Sequence, residues 1–151
     1  MEKDNYGTKE LFLDTLKKLG CPYEVDEEDE ERFHFNYKGE HFLVDVNNKT
    51  PYVFVWDTFW YSVELEDLDQ VSRLRKVIND ANMQYGTITV YTMDEENDKM
   101  YVHCKSTFLF VSEISYLERY LKTELNTYFM IHQFVYTELA KLQAKEEVVR
   151  A

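Results

Sequence analysis

The sequence is poor in the residues that build irregular loops and phosphate cradles. Only 4 glycines and 2 prolines occur among its 151 residues. It contains no GxGxxG or GxxxxGK[ST] pattern, and no GxSxG or HExxH motif. These gaps argue against the common nucleotide-binding and hydrolase sites. We therefore expect no cofactor, no bound metal and no enzymatic activity.

Cysteine and positive charge are also scarce. The 2 cysteines, Cys21 and Cys104, are far apart in the chain, and we interpret both as reduced thiols. The chain has 17 Lys and Arg against 29 Asp and Glu, which gives a net charge of −12. Such a surface repels phosphate backbones and anionic lipids, so we expect neither nucleic acid nor membrane as a partner. A protein or peptide, above all a basic one, fits this charge better.

Long apolar runs are missing as well. No stretch approaches the roughly 20 apolar residues that span a bilayer, and the opening Met-Glu-Lys-Asp-Asn lacks the regions of a signal peptide. We therefore expect a cytoplasmic protein. With 44% hydrophobic and 16% aromatic residues, the composition suits one packed core. The length predicts a single domain over residues 1–151, with 146–151 as a frayed tail, and the helices and hairpins predicted below place it in the α+β class.

Hydrophobic spacing predicts two shorter helices. The stretch Thr8–Leu19 carries a narrow apolar stripe and is followed by Gly20, a plausible C-terminal cap. Asp67 and Gln70 form a capping-box pattern at the start of the second helix, which Gly86 ends.

Two β-hairpins are predicted around these helices. In the first, a two-residue turn at Lys38-Gly39 places aromatic residues on one side of the sheet and polar residues on the other. The expected cross-strand pairs are Phe35 with Phe42, Phe33 with Val44, His34 with Leu43, Asn36 with His41 and Arg32 with Asp45. The second hairpin runs from Thr87 to Phe110 around the acidic turn Asp94–Lys99. The segment Tyr52–Trp56 is predicted as a central strand, or one covered on both faces.

A long C-terminal helix is predicted from a second capping box, Ser115 with Glu118, to about Lys145. Some 31 residues span roughly 46 Å at 1.5 Å per residue. Since a compact domain of this size has a radius of gyration of only about 15 Å, the helix should wrap the body or project from it. A projecting apolar helix favours self-association. We therefore predict a homodimer through the residues of its apolar stripe, namely Tyr128, His132, Val135 and Leu139.

An aromatic block follows the first hairpin and suggests a binding function; it consists of Tyr52, Phe54, Trp56, Phe59, Trp60 and Tyr61. It packs either as core or as an exposed platform on the sheet, and Trp and Tyr often anchor protein interfaces. We hypothesise a non-enzymatic protein- or peptide-interaction module, chaperone-like or regulatory. It would bind through an exposed aromatic sheet face, or through a groove beside the long C-terminal helix. The expected contact residues are Phe54, Trp56, Trp60 and Tyr61.

The acidic run Asp26–Glu31 has two interpretations. It is either a solvated loop held open by self-repulsion or a docking patch that steers basic partners.

The alternative function is a small ligand-binding or enzymatic domain that uses the polar face of the first hairpin. His34, His41 and Asp45 share that face in the predicted register, although a metal site would need further ligands. An acidic mimic of nucleic acid is a third hypothesis.

One local pattern resembles a known family. The sequence Val77-Ile78-Asn79-Asp80-Ala81-Asn82, followed by Tyr85–Val90, is similar to the central helix and following strand of the bacterial YbjN-type sensory-transduction regulators. The predicted order of elements likewise resembles the type III secretion chaperone-like fold. This resemblance implies a sheet packed against helices, frequent homodimers, and binding of protein segments without catalysis.

Overall fold

The computed structural model describes residues 5–150, which form three helices and seven strands. In chain order these are α1 (Thr8–Lys18), β1 (Tyr23–Val25), β2 (Arg32–Tyr37), β3 (Glu40–Asp45), β4 (Tyr52–Asp57), β5 (Tyr61–Glu64), α2 (Leu68–Gln84), β6 (Ile88–Asp94), β7 (Lys99–Leu109) and α3 (Leu117–Arg150). The sheet has the order β1-β2-β3-β4-β7-β5, and β6 also pairs with β7. The predicted α+β class and the predicted order of helices and hairpins are confirmed.

The chain divides into two compact units, which we describe separately. The first unit comprises the residues up to Thr58 together with Lys105–Leu125. The second comprises Phe59–Cys104 together with the residues from Asn126 onward. A single domain over residues 1–151 stays a prediction.

The β2–β3 hairpin organises the first unit, and its predicted register is confirmed at all five pairs. Phe35 lies opposite Phe42, and Arg32 lies opposite Asp45. Lys38 and Gly39 form the turn with φ values of 50° and 81°. Two successive residues with positive φ are typical of the tight turn that suits the twist of paired strands.

The aromatic side of this hairpin packs against α1 inside the first unit. The ring of Phe12 lies edge-on to Phe35 at 6.0 Å and to Phe110 at 5.2 Å between centroids. Each fully buried phenylalanine stabilises the fold by about 1.5–3 kcal/mol relative to exposure. Buried with these rings are Leu16, Phe33, Phe42, Val44, Val53, Val55, Leu121 and Leu125.

The second unit is built around α2 and the start of β7. The Asp67 carboxylate accepts a hydrogen bond from the backbone N–H of Gln70 at 3.1 Å, as the capping pattern predicts. The side chain of Asn82 binds the backbone of Thr89 twice: its Oδ1 accepts from the N–H at 2.8 Å, and its Nδ2 donates to the carbonyl at 3.0 Å. This pair of hydrogen bonds fixes the chain between α2 and β6. Cys104 on β7 is buried, as predicted.

The long helix α3 differs from its prediction at both ends. It begins at Leu117 rather than directly after Ser115, because Tyr116 adopts a positive φ of 55°. It continues to Arg150, beyond the expected end near Lys145. In its last turns, Glu146 pairs with Arg73 and Arg150 pairs with Asp69 at 3.2 Å. No helix among residues 5–150 is long and apolar enough to cross a membrane.

Candidate functional site

The sheet of the first unit has a solvent-facing side that is rich in aromatic residues. On β4 the side chains of Val53 and Val55 are buried, whereas Tyr52 and Phe54 are 46% and 45% exposed. β4 is thus a central strand, as predicted, with only one face covered. We call the opposite, solvent-facing side the outer face. Strand register places on it Arg32, His34, His41, Leu43, Asp45, Tyr52, Phe54, Trp56, Lys105, Thr107 and Leu109.

The centre of the outer face already holds a guanidinium group. The Arg32 guanidinium lies 5.0 Å from the centroid of the Trp56 ring. Its Nε and Nη2 donate to the two carboxylate oxygens of Asp45 at 2.9 and 3.3 Å. This surface therefore combines the two contacts by which proteins recognise arginine, an aromatic ring and a bidentate carboxylate.

Beside this pair lies an open cleft of about 320 Å³, which we call the acidic–aromatic cleft. Three carboxylates and two aromatic rings contribute to its walls. Its lining consists of Asp29, Glu31, Asp45, Asn47, Thr50, Tyr52 and Phe54. A cationic group on an apolar stem, such as a lysine or arginine side chain, matches this combination.

The acidic run Asp26–Glu31 is ordered by hydrogen bonds within it. Oδ2 of Asp26 accepts from the N–H of Glu28 at 3.1 Å, and Oδ1 of Asp29 accepts from the N–H of Glu31 at 2.9 Å. The N–H of Asp26 donates to the Arg32 carbonyl at 2.8 Å. The run is thus an exposed loop with two successive turns that aspartate side chains close, and its role in steering partners stays a prediction.

A second polar group on the outer face consists of Asp26, His34 and His41, which we call the histidine cluster. Oδ1 of Asp26 lies 2.6 Å from Nε2 of His34, and Nδ1 of His34 lies 3.1 Å from Nε2 of His41. The hydrogen bond from His34 lowers the pKa of Asp26. Burial lowers the pKa of His41, and the charge of His34 lowers it further.

The predicted placement of both histidines and Asp45 on one face is confirmed by the register. Asp45 shares their face, but its carboxylate is engaged by Arg32 on the neighbouring strand. The carboxylate that contacts His34 is instead that of Asp26. This residue was hidden in the acidic run, and its role depends on β1 pairing with β2, which the sequence does not show.

The four predicted contact residues fall in different units. Phe54 and Trp56 lie on the outer face of the first unit. In the second unit, Trp60 stacks on His132 with centroids 4.2 Å apart, and Tyr61 lies edge-on to Tyr136 at 5.8 Å. Trp60 and Tyr61 are half-buried by these contacts with α3. Their role in partner binding stays a prediction.

The residues predicted to form a dimer helix lie mostly in the interior of the protein. Tyr128, His132 and Val135 are buried in the single chain, and Leu139 is half-buried. Their apolar surface is thus largely covered without a second copy. The homodimer stays a prediction.

Neither cysteine has the setting of a nucleophile. Cys21 and Cys104 are both buried, and neither takes part in a disulfide. Burial raises the pKa of Cys21, and the nearby Lys122 opposes this effect only in part. A thiol with a raised pKa carries little reactive thiolate at neutral pH.

Two solved structures share this fold. An uncharacterized protein from Methanothermobacter thermautotrophicus is 13% identical, with a TM-score of 0.60 over 89% of this chain and 97% of its own. YbjN from E. coli, titled "a putative transcription regulator", is 11% identical, with a TM-score of 0.52 over 91% of this chain and 93% of its own. A comparison with curated proteins found no match.

The family assignment comes from a sequence profile. Residues 8–108 match the YbjN family, which is described as "Putative bacterial sensory transduction regulator". This range covers α1, all seven strands except the last residue of β7, and α2. The resemblance inferred from the Asn-containing helix is thereby confirmed, and the chain belongs to the YbjN family.

Proposed function

We propose that this protein is a non-catalytic regulatory module that binds a basic segment of a partner protein on the outer face of its first unit. The acidic–aromatic cleft is the centre of this site. Tyr52 and Phe54 contact the apolar part of the segment, and Asp29, Glu31 and Asp45 contact its cations. The description of the family as a regulator is consistent with a binding role rather than with chemistry.

The Arg32 pair supports the choice of a cationic ligand. The protein's own Arg32 guanidinium lies between Trp56 and Asp45. A bound arginine would make similar contacts in the adjacent acidic–aromatic cleft. Charge-assisted hydrogen bonds to carboxylates and contacts with aromatic rings are the strong components of arginine recognition. An anionic ligand, in contrast, would face three carboxylates in the cleft.

The exposure of Phe54 is the single observation that carries the proposal. This large apolar ring is 45% exposed at the middle of a central strand, next to Tyr52 at 46%. Interface hot spots are typically aromatic anchors of this kind, surrounded by polar groups. The net charge of −12 adds long-range attraction for a basic segment.

Selection from a library of random displayed peptides tests the proposal. Wild-type protein is the bait, and the variant Glu31→Gln/Phe54→Ser is the bait for counter-selection. We expect the enriched peptides to combine arginine or lysine with apolar residues. We further expect the double variant to bind them at least about tenfold more weakly, because loss of a hot-spot residue costs about 2 kcal/mol.

Matched substitutions on the same unit serve as the control. The variant Glu113→Gln/Tyr116→Ser removes one exposed carboxylate and one aromatic ring that is 75% exposed, both outside the cleft. It should bind the selected peptides as the wild type does. Enrichment of acidic peptides, or equal binding by both double variants, would show that the cleft is not the site.

A further inference from the structure

The histidine cluster brings two imidazole nitrogens within hydrogen-bond distance on one face of the sheet. His34 and His41 lie on neighbouring strands and are offset by two positions in the register, so that both rings stand on the outer face. Their ring centroids are 5.1 Å apart and the ring planes differ by 19°. Nδ1 of His34 and Nε2 of His41 face each other at 3.1 Å.

This separation is close to that of two ligand atoms on one zinc ion. With Zn–N bonds of about 2.0–2.1 Å and tetrahedral angles, two imidazole nitrogens lie roughly 3.3 Å apart. Rotation of either side chain can lengthen the distance between the two nitrogens by a few tenths of an ångström. The two nitrogens are therefore placed to share either a proton or a metal ion.

Asp26 determines which nitrogen of His34 is available. An ionised carboxylate only accepts hydrogen bonds, so Nε2 of His34 donates to Asp26 at 2.6 Å. In the neutral ring the lone pair then lies on Nδ1, which faces His41. A carboxylate behind a histidine in this way is the usual second partner of a metal-binding imidazole.

Glu24 supplies the third candidate ligand. It is the direct partner of His34 in the β1–β2 register, so its side chain projects from the same face. It is exposed, and it lines a cleft of about 290 Å³ together with His34, Asn36 and His41.

We propose that His34 Nδ1, His41 Nε2 and the Glu24 carboxylate bind one divalent transition-metal ion, with Asp26 orienting His34. Two imidazoles and one carboxylate favour zinc over magnesium or calcium, which prefer oxygen ligands. The open cleft leaves the fourth position to water. The proposal departs from the expectation of a protein without a bound metal, because Glu24 and Asp26 add to the two histidines that the sequence grouped.

The ion would stabilise the attachment of the edge strand β1 to the sheet. β1 has only three residues, and Glu24 is the middle one. A bond from Glu24 through the metal to His34 and His41 would tie β1, β2 and β3 together. The proposal is independent of peptide binding, since neither Tyr52 nor Phe54 takes part.

Zinc titration of the untagged, chelator-treated chain tests the site. Zinc chloride is added in competition with a chromophoric chelator, and we expect one equivalent to bind. The variants His34→Gln, His41→Gln and Glu24→Gln should each weaken binding by about tenfold or more. Asp26→Asn, which removes an orienting partner, should weaken it by about 10–100-fold.

His103→Gln is the matched control, since this histidine lies on β7 and its Nε2 is 3.1 Å from Oγ1 of Thr92. It should bind zinc as the wild type does. Circular dichroism and thermal melts establish that each variant is folded.

Nitrogen-15 NMR of the histidine rings provides a readout on the wild type itself. Zinc should shift Nδ1 of His34 and Nε2 of His41 together, at one equivalent. The proposal is overturned if zinc binds only in the millimolar range, if His34→Gln and His41→Gln leave its affinity unchanged, or if the shifted resonances belong to other histidines.

Discussion

Glu124 shows how one residue can reduce stability at neutral pH. It is half-buried on α3 in the first unit, and burial raises its pKa above the ordinary value. A carboxyl group whose pKa is higher in the folded state binds more protons there than in the unfolded state. Its contribution to stability is therefore fully present below the unfolded pKa and is lost as pH rises through the folded pKa.

Glu124→Gln should consequently stabilise the protein at pH 7 and have little effect at about pH 3.5, below the ordinary glutamate pKa of about 4.3. The gain should stay below about 1.4 kcal/mol, the value of one pKa unit, because solvent screens a half-exposed group. Urea unfolding at both pH values measures it, with Glu113→Gln on the surface as the control. A gain of equal size at both pH values would contradict the assignment to burial of the charge.

At the scale of single residues, the sequence predicted the local orientation of side chains better than contacts between separate segments of the chain. Alternation placed Phe33, Phe35 and Cys104 inside correctly, because side chains on a strand point to opposite faces in turn. It could not find that Asp26 contacts His34, since that contact depends on a loop closing back onto β2. Tyr52 was part of the aromatic block, but its exposure depends on which face of β4 is covered.

At the scale of elements, the β2–β3 turn is where local sequence has the most direct influence. Gly39 has a φ of 81°, and a side chain at this position would meet nothing within 4 Å. Glycine is therefore favoured at this position by the backbone conformation and not because a larger side chain would clash.

Gly39→Ala should lower the free energy of unfolding by about 1 kcal/mol, the cost of placing an L-residue in the left-handed region. Gly86→Ala is the matched control, because it also has open space but no positive φ. That change should stay within about 0.5 kcal/mol. Chemical denaturation of both variants measures the difference, and equal effects would refute the conformational explanation.

The C-terminal end of α3 is a second case, because the helix is longer than the sequence predicted. Residues 146–151 were predicted to fray, but the helix includes residues 146–150; Ala151 lies outside the described residues. Two ion pairs with α2, Arg73 with Glu146 and Arg150 with Asp69, account for the extra helical turns in the second unit. Pairs between separate helices leave no pattern in the sequence.

Arg73→Met should let these last turns open. The Arg73 side chain is only 14% exposed, so its pair with Glu146 is the better shielded of the two. We expect faster amide hydrogen exchange over residues 146–150, with less than about 1 kcal/mol lost in global stability. Arg75→Met, on the exposed side of the same helix, should leave exchange unchanged. Unaltered exchange in Arg73→Met would show that the pair does not hold the helix end.

At the scale of the whole molecule, the order of the predicted elements indicated the fold class but not the topology, and the class of partner stays a prediction. The alternation of helices and hairpins was sufficient for the α+β class and the family. The sheet order β1-β2-β3-β4-β7-β5 was not predictable, because pairing of β4 with β7 joins segments about fifty residues apart. The division into two compact units was likewise not predicted.

The central claim, that the outer face of the first unit binds a basic segment, is tested most directly by NMR. A basic peptide from the display selection is titrated into isotope-labelled protein, and backbone amide shifts are mapped. Our account predicts that the largest shifts cluster on β3, β4 and the Asp26–Glu31 turns, with Phe54 at their centre, and weaken as salt is added. Shifts confined to the second unit, or insensitive to salt, would contradict it.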